Sequence, residues 1–148
     1  MRKFFYLFTF FFSLLTTEIK AKNIMILKLD YGEVEIELYS DKAPNHVKRF
    51  KELADKGLYD GVVFHRVIDG FMAQTGDVKF GNTNNPSFDL SLAGTGGSDL
   101  PNLKAEFTDI AHTRGTLSAA RSADPDSANS QFFICFEAAP HLDRQYSA

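Results

Sequence analysis

Short runs of alternating apolar and polar residues, separated by turn formers, constrain this chain more than any other feature. Over residues 24–39 the alternation continues on both sides of Tyr31-Gly32, which predicts a β-hairpin. The runs at 62–68 and 71–75 are divided by Asp69-Gly70 and predict a second hairpin or bent ribbon. Two further strand-like runs cover 116–120 and 131–136. The chain therefore belongs to a mainly β fold class, a barrel or a sandwich.

One segment has helical spacing instead. Pro44 suits a first helical turn, Val47, Phe50 and Leu53 recur at helical intervals, and Gly57 follows where such a helix would end. This pattern predicts a helix over 44–56. Residues 78–104 are interrupted by glycine, asparagine and proline and predict a long irregular loop. Such loops tend to be functional, so we expect this one beside the site.

Composition excludes several classes of function. The 148 residues suit a single domain, and the formal net charge of -3 argues against nucleic acid as a partner. A lone cysteine, Cys135, allows neither an intrachain disulfide nor a CxxC metal site. The four histidines lack ligand spacing, so we expect no metal.

The N-terminus has the composition of an export signal. Arg2 and Lys3 precede an uncharged apolar run over residues 4–15, which predicts a signal peptide over residues 1–21 that is cleaved after Ala21. The run is shorter than the roughly 20 apolar residues of a membrane span, so no stable span is expected after cleavage. Retention as an uncleaved anchor is the alternative, because Ile19 is bulky for its place before the cleavage point. The mature domain, residues 22–148, is predicted to be periplasmic or secreted.

Two long motifs carry a family resemblance. They are FHRVIDGFMAQTGD at 64–77 and SQFFIC at 130–135, and they are joined by GTLSAAR at 115–121 and Leu142-Asp143. With these motifs the chain resembles the cyclophilin-type peptidyl-prolyl isomerases over roughly residues 24–148. The resemblance implies a cyclophilin-like antiparallel β-barrel with a capping helix. It also implies that the C-terminal strand, helix and strand of relatives are missing here, so that the domain is C-terminally incomplete.

The reaction of that family explains why no catalytic triad is found. Rotation about an X-Pro bond crosses a barrier of about 18–20 kcal/mol that amide resonance creates, and no bond is made or broken. A dry pocket for the proline ring and a donor aimed at the twisted amide are sufficient, so no cofactor is expected. A 10⁴-fold acceleration needs about 5.4 kcal/mol of selective transition-state stabilisation.

By resemblance, Arg66 is the donor, Gln74 orients Arg66 and the substrate backbone, and Phe71 is a wall of the proline pocket. These three residues form the predicted catalytic group. Met72, Phe133 and Leu142 resemble further walls of the proline pocket. Ala120 and Arg121 align with the pair that binds the peptide before the proline, and Tyr146 stands where many relatives have a histidine. These residues form the predicted substrate-binding set: Met72, Ala120, Arg121, Phe133, Leu142 and Tyr146.

Two functions from different classes follow. The first is an exported monomeric isomerase that acts on X-Pro bonds of unfolded or extended proline-containing polypeptides and assists the folding of exported proteins. The second is a catalytically weak proline-binding or holdase module, in which the incomplete barrel disturbs the groove. A ligand-carrying barrel of the lipocalin kind is disfavoured by the helix, the long loop and the motifs.

Overall fold

The computed structural model describes residues 23–148, so the predicted signal peptide lies outside the described residues. The first hairpin is confirmed. Strand β1 (Asn23–Leu29) pairs with β2 (Gly32–Leu38) in an antiparallel register that places Leu27 opposite Val34. Gly32 has φ of 141°, a conformation that side chains rarely adopt, and it begins β2 directly after the turn.

Helix α1 (Pro44–Asp55) agrees with the predicted helix to within one residue. It ends in a Schellman arrangement: Gly57 N–H donates to the Ala54 carbonyl, and Leu58 N–H donates to the Leu53 carbonyl. Gly57 has φ of 66°, which explains why glycine stands there. Val47, Phe50 and Leu53 form the apolar part of the buried face, as their spacing predicts.

A second, four-stranded antiparallel sheet has the order β3-β4-β6-β5. Its strands are β3 (Arg66–Ile68), β4 (Met72–Thr75), β5 (Leu117–Ala119) and β6 (Phe132–Cys135). The prediction that a strand begins at residue 62 is wrong, because β3 begins at Arg66 and the backbone of Val63 bonds to the long loop and to the Thr75 side chain instead. Val63 N–H donates to the Gly81 carbonyl, and Thr75 Oγ1 donates to the Val63 carbonyl. Two short 3₁₀ helices that the sequence did not predict cover Pro125–Ser127 and Pro140–Leu142.

An aromatic contact joins α1 to the second sheet. The Phe132 ring meets the Phe50 ring edge-on with centroids 5.3 Å apart, and the Tyr59 ring at 5.7 Å. Phe132 is 2% exposed and Phe50 5%, so this contact belongs to the core and fixes the sheet from behind.

The mainly β class with one helix is confirmed. The described residues form two separate antiparallel sheets rather than one closed barrel, and none of their helices is long and apolar enough to span a bilayer.

The long loop at 78–104 contains no helix or strand, as predicted. The fully buried Asp77 carboxylate joins the beginning of this loop to residues 94–96. Oδ1 accepts hydrogen bonds from the backbone N–H groups of Lys79 and Phe80, and Oδ2 accepts them from Gly94 and Gly96 at 2.8 and 2.9 Å. Four donors compensate the desolvation of this carboxylate and order a segment that has no regular structure of its own.

The N-terminus of α1 depends on Glu106, which is distant in sequence. Its carboxylate accepts hydrogen bonds from the backbone N–H groups of Asn45 and His46 and contacts His46 Nδ1 at 2.7 Å. Burial alone would raise the pKa of Glu106, but the hydrogen bonds from His46 and Asn45 outweigh it and hold the pKa below its ordinary value of 4.5. A carboxyl whose pKa is lowered by folding contributes stability that is lost as the pH falls through the folded-state value.

We therefore predict that Glu106→Gln lowers the free energy of unfolding by about 1–2 kcal/mol at neutral pH. The difference from the wild type should be complete above about pH 5 and should shrink as the pH falls below the ordinary carboxyl value, because Glu106 then takes up a proton. Urea unfolding followed by circular dichroism at several pH values measures it. Glu33→Gln, which removes an exposed carboxylate paired with Lys28, is the control and should change little. A Glu106 effect that persists undiminished in acid would contradict the prediction.

Candidate active site

The register of the second sheet brings residues from three strands into one row. Arg66 on β3 lies opposite Gln74 on β4, and Gln74 lies opposite Phe133 on β6. Since directly paired residues point to the same face, the three side chains project from one side of the sheet. Met72, two residues before Gln74, shares this face. Residues that are far apart in the sequence thus become neighbours through pairing alone.

A cavity of about 620 Å³ lies on this face. Its lining includes all nine residues that the sequence singled out: Arg66, Phe71, Met72, Gln74, Ala120, Arg121, Phe133, Leu142 and Tyr146. It also includes residues that the sequence did not assign to the site: His65, Ala93, Gly94 and Thr95. The last three belong to the long loop, so the expectation that this loop lies beside the site is confirmed.

One half of the cavity is apolar. Met72, Phe133 and Leu142 are buried in a cluster with Cys135 and Ala139, and the partly buried Phe71 and Tyr146 pack against it. The Tyr146 ring meets the Phe133 ring edge-on at 5.7 Å. Such a surface favours an apolar ring over water, because little of it can hydrogen-bond.

The other half is polar and forms a chain of side chains. Arg66 Nη1 donates to Gln74 Oε1 at 3.4 Å, and Gln74 Nε2 donates to Gln131 Oε1 at 2.9 Å. Gln131 Nε2 in turn donates to the carbonyls of Gly94 and Gly96 at 3.0 and 2.7 Å. Within the described part of the chain, the bond to Gln74 is the only hydrogen bond that the Arg66 guanidinium makes. Its remaining N–H donors are therefore available to a ligand.

The motif that contains Gln131 predicts no role for this residue. The signal that could have found it is the two-residue period of a strand, since Gln131 precedes Phe133 by two and points to the same face. The carbonyls it contacts lie in the long loop, and no local pattern predicts how that loop returns to the sheet. The Gln131 amide is therefore the link between loop and cavity.

His65, to which the sequence analysis gave no role in the site, lies in the cavity wall. Its two ring nitrogens are buried without a hydrogen-bond partner in the described part of the chain. Burial lowers the pKa of His65, against the opposing influence of Asp77, and so favours the neutral ring. A Cβ on Gly94, which has φ of 95°, would lie 2.5 Å from His65 Cδ2, so glycine is required where the loop covers the ring.

His112 supports the apolar half from behind. The ring is 1% exposed, stacks on Phe133 with centroids 6.3 Å apart, and contacts Asp143 Oδ1 through Nδ1 at 2.9 Å. The backbone N–H of His112 also donates to Asp143 Oδ1. Hydrogen bonds from His112 lower the pKa of Asp143. Asp143 directly follows Leu142, and His112 stacks on Phe133. The contact between His112 and Asp143 therefore holds two wall residues of the cavity, Leu142 and Phe133, in place.

Comparison with known protein families and curated relatives gives clear matches. The family model described as "Cyclophilin type peptidyl-prolyl cis-trans isomerase/CLD" matches residues 24–148. A "Probable peptidyl-prolyl cis-trans isomerase" of Brucella suis is 56% identical over 126 residues, which are 85% of this chain and 64% of that protein. A "Peptidyl-prolyl cis-trans isomerase" of Synechococcus elongatus is 38% identical, over 80% of this chain and 72% of that protein. The chain thus spans less than two thirds of the length of the Brucella relative.

Solved structures of cyclophilins are similar to this chain in fold. The cyclophilin AquaCyp293 from Hirschia baltica superposes with a TM-score of 0.69 at 28% identity, covering 84% of this chain and 61% of that one. A cyclophilin-type peptidyl-prolyl cis-trans isomerase of Cryptosporidium parvum, crystallised in the presence of the dipeptide Ala-Pro, has a TM-score of 0.65 at 30% identity. That match covers 79% of this chain and 70% of the other.

The buried apolar cluster that adjoins the cavity leads to a prediction about Cys135, which belongs to this cluster and is 1% exposed. Burial, with a smaller contribution from the Asp143 charge, raises the pKa of this thiol. We predict that Cys135 resists iodoacetamide at mildly alkaline pH in the folded chain and reacts fully in concentrated guanidinium chloride, because the thiolate is the reactive form. Mass spectrometry measures the extent of alkylation. Rapid alkylation without denaturant would contradict the prediction and show that the cluster around Cys135 is open to water.

Proposed function

The chain belongs to the cyclophilin-type peptidyl-prolyl cis-trans isomerase family, and from this membership we propose that its cavity accelerates rotation about X-Pro bonds in unfolded or extended polypeptides. One observation carries the proposal: an apolar half-cavity lies beside an arginine whose donors are largely available. The names of the Brucella and Synechococcus relatives support it. The proposed substrates are proline-containing chains, whose ring matches the apolar half in chemistry.

The mechanism follows from the electronic change in the amide. In the planar ground state the nitrogen lone pair is delocalised into the carbonyl, whereas in the twisted state it is localised and becomes a hydrogen-bond acceptor. The proline ring would bind against Phe71, Met72 and Phe133, which exclude water. Arg66 would then donate to the prolyl nitrogen region as the bond twists, and this interaction favours the transition state over the ground state.

Gln74 acts on Arg66 rather than on the substrate in this proposal. Its carbonyl oxygen accepts from the guanidinium, while its amide is held by Gln131, so the direction of Arg66 is set by groups that are themselves anchored. Ala120 donates its N–H to the Gln131 carbonyl at 2.9 Å. Its backbone donor is therefore committed to the fold, and contact with the peptide before the proline would use other groups of the 120–121 segment.

We predict that Arg66→Ala lowers kcat/KM for a proline-containing tetrapeptide by about tenfold to hundredfold, since a charge-assisted hydrogen bond contributes about 1.5–3 kcal/mol. Arg66→Lys should recover only part of the loss, because an ammonium lacks the planar fork. A protease-coupled assay or NMR exchange spectroscopy measures the rate, and calorimetry measures peptide affinity, which should change much less.

Arg114→Ala is the matched control. Arg114 is an exposed arginine that donates to the Phe136 carbonyl and does not line this cavity, so its loss should leave the rate unchanged. Equal rates for wild type and Arg66→Ala would contradict the assignment. Binding of the peptide by a folded wild type without any acceleration would favour the second candidate, a proline-binding or holdase module.

We further propose that the chain is exported and acts on the folding of exported proteins. The support is the sequence of residues 1–21, in which two basic residues precede a short apolar run. In a Gram-negative host, N-terminal sequencing of the periplasmic protein should begin at Lys22. Leu14→Arg, which interrupts the run, should keep the chain in the cytoplasm, whereas Thr17→Ser should not. A cytoplasmic wild type with an intact Met1 would overturn the proposal.

A further inference from the structure

Two arginines line the cavity, and they differ in how their donors are used. Arg121 Nη1 donates to the carbonyls of Ser122 and Ala123 at 2.9 and 3.3 Å. Its Nε and Nη2 both donate to the Gln145 carbonyl, at 3.3 and 2.9 Å. The guanidinium thus joins the segment 120–123 to the segment 142–146 through main-chain oxygens. Arg66, in contrast, has one long hydrogen bond.

The flat face of the same guanidinium covers an aromatic ring. Arg121 Cζ lies 4.3 Å from the centroid of Tyr146, within the range of a cation–π contact. The Tyr146 ring meets the Phe133 ring edge-on, and both residues line the cavity. Guanidinium, tyrosine and phenylalanine therefore form a continuous series of contacts, which we call the Arg121 cluster (Arg121, Tyr146 and Phe133).

The segment that carries Tyr146 needs this support. Arg144 has φ of 56°, the one left-handed residue other than glycine in the described part of the chain. Such a conformation is unfavourable for a residue with a Cβ, and it persists where surrounding contacts enforce it. The adjoining Gln145 carbonyl receives both hydrogen bonds from Arg121. The guanidinium therefore holds the turn in the conformation that presents Tyr146 to the cavity.

We propose that Arg121 is a positioning residue that fixes Tyr146 against Phe133 and thereby sets the affinity of the apolar half-cavity for X-Pro peptides. Its donors are committed to the carbonyls of its own chain, so it shapes the wall and does not contact the twisting amide. This inference rests on the proposed function for its substrate. It assigns Arg121 an indirect role and leaves Arg66 as the donor to the reacting bond.

A wall that is shaped in advance stabilises the bound ground state and the transition state equally. Its loss therefore raises KM and leaves kcat almost unchanged. We expect Arg121→Met to raise KM for a proline-containing tetrapeptide by roughly threefold to tenfold, with kcat within about twofold of the wild type. Arg121→Lys should behave like Arg121→Met, because an ammonium can neither stack as a plane nor bridge the same carbonyls.

Two variants of Tyr146 test the aromatic side of the proposal. Tyr146→Leu removes the ring and should raise KM as Arg121→Met does, whereas Tyr146→Phe keeps the ring and should raise KM by less than Tyr146→Leu. The double variant Arg121→Met/Tyr146→Leu should show no further increase in KM, since both changes break the same cluster. Arg114→Met, which removes an arginine outside this cavity, is the control for loss of charge.

NMR provides a readout that does not depend on turnover. In ¹⁵N-labelled protein the Arg121 Nε–H should be shifted upfield by the Tyr146 ring and should exchange slowly because it donates to Gln145. Tyr146→Phe should preserve the shift, and Tyr146→Leu should abolish it. Circular dichroism of each variant confirms that the fold is kept.

The outcomes separate the two proposals. If the wild type isomerises peptides and Arg121→Met leaves KM unchanged, the role of Arg121 is overturned and the proposed function stands. If kcat falls while KM does not, Arg121 acts in the reaction itself, which also overturns the inference. If the wild type binds the peptide without turnover and Arg121→Met weakens binding, the isomerase proposal fails and the role of Arg121 is supported. Absence of both binding and turnover overturns both.

Discussion

The buried carboxylate of Asp77 is the interaction on which the polar side of the site depends. A negative charge that is fully removed from water is costly unless hydrogen-bond donors replace the water, and here four backbone N–H groups do so. Two of them belong to Gly94 and Gly96, whose carbonyls receive the amide of Gln131. The order of a loop without regular structure is thereby transmitted to Gln131, then to Gln74, and finally to Arg66.

The apolar side is supported by a different set of contacts. His112 stacks on Phe133 and contacts Asp143, while Arg121 stacks on Tyr146 and binds the Gln145 carbonyl. Each pair joins the sheet side of the cavity to the 142–146 segment. The reaction proposed here makes no covalent bond, so its rate depends on the shape and polarity of the cavity rather than on a nucleophile. Rigid walls are for that reason as necessary as the donor.

Several of these features could be predicted from the sequence, and the reasons are physical. The hairpin, the helix and the sheet strands follow from local periodicity, and Gly57 marks the helix end because its φ of 66° suits glycine. The nine site residues were found through motif resemblance, and the register that unites them is a property of strand pairing. Residues 62–65 were assigned to a strand because their apolar side chains fit one, although their backbone partners lie in the loop. The roles of His65 and Gln131 escaped prediction since both depend on where that loop returns.

The contrast between Arg66 and Arg121 shows why residue type alone does not determine a role. Both side chains carry the same charge, line the same cavity and belong to recognised motifs. The difference lies in the acceptors that surround them: three carbonyls and an aromatic face satisfy Arg121, whereas one distant amide oxygen engages Arg66. A guanidinium whose donors are satisfied internally gains little by turning to a ligand, because each new bond would break an existing one. A guanidinium with available donors gains a bond whenever an acceptor forms beside it, as the prolyl nitrogen does on twisting. In the proposed function, the acceptors around each side chain therefore assign Arg121 to the shape of the cavity and Arg66 to the reaction.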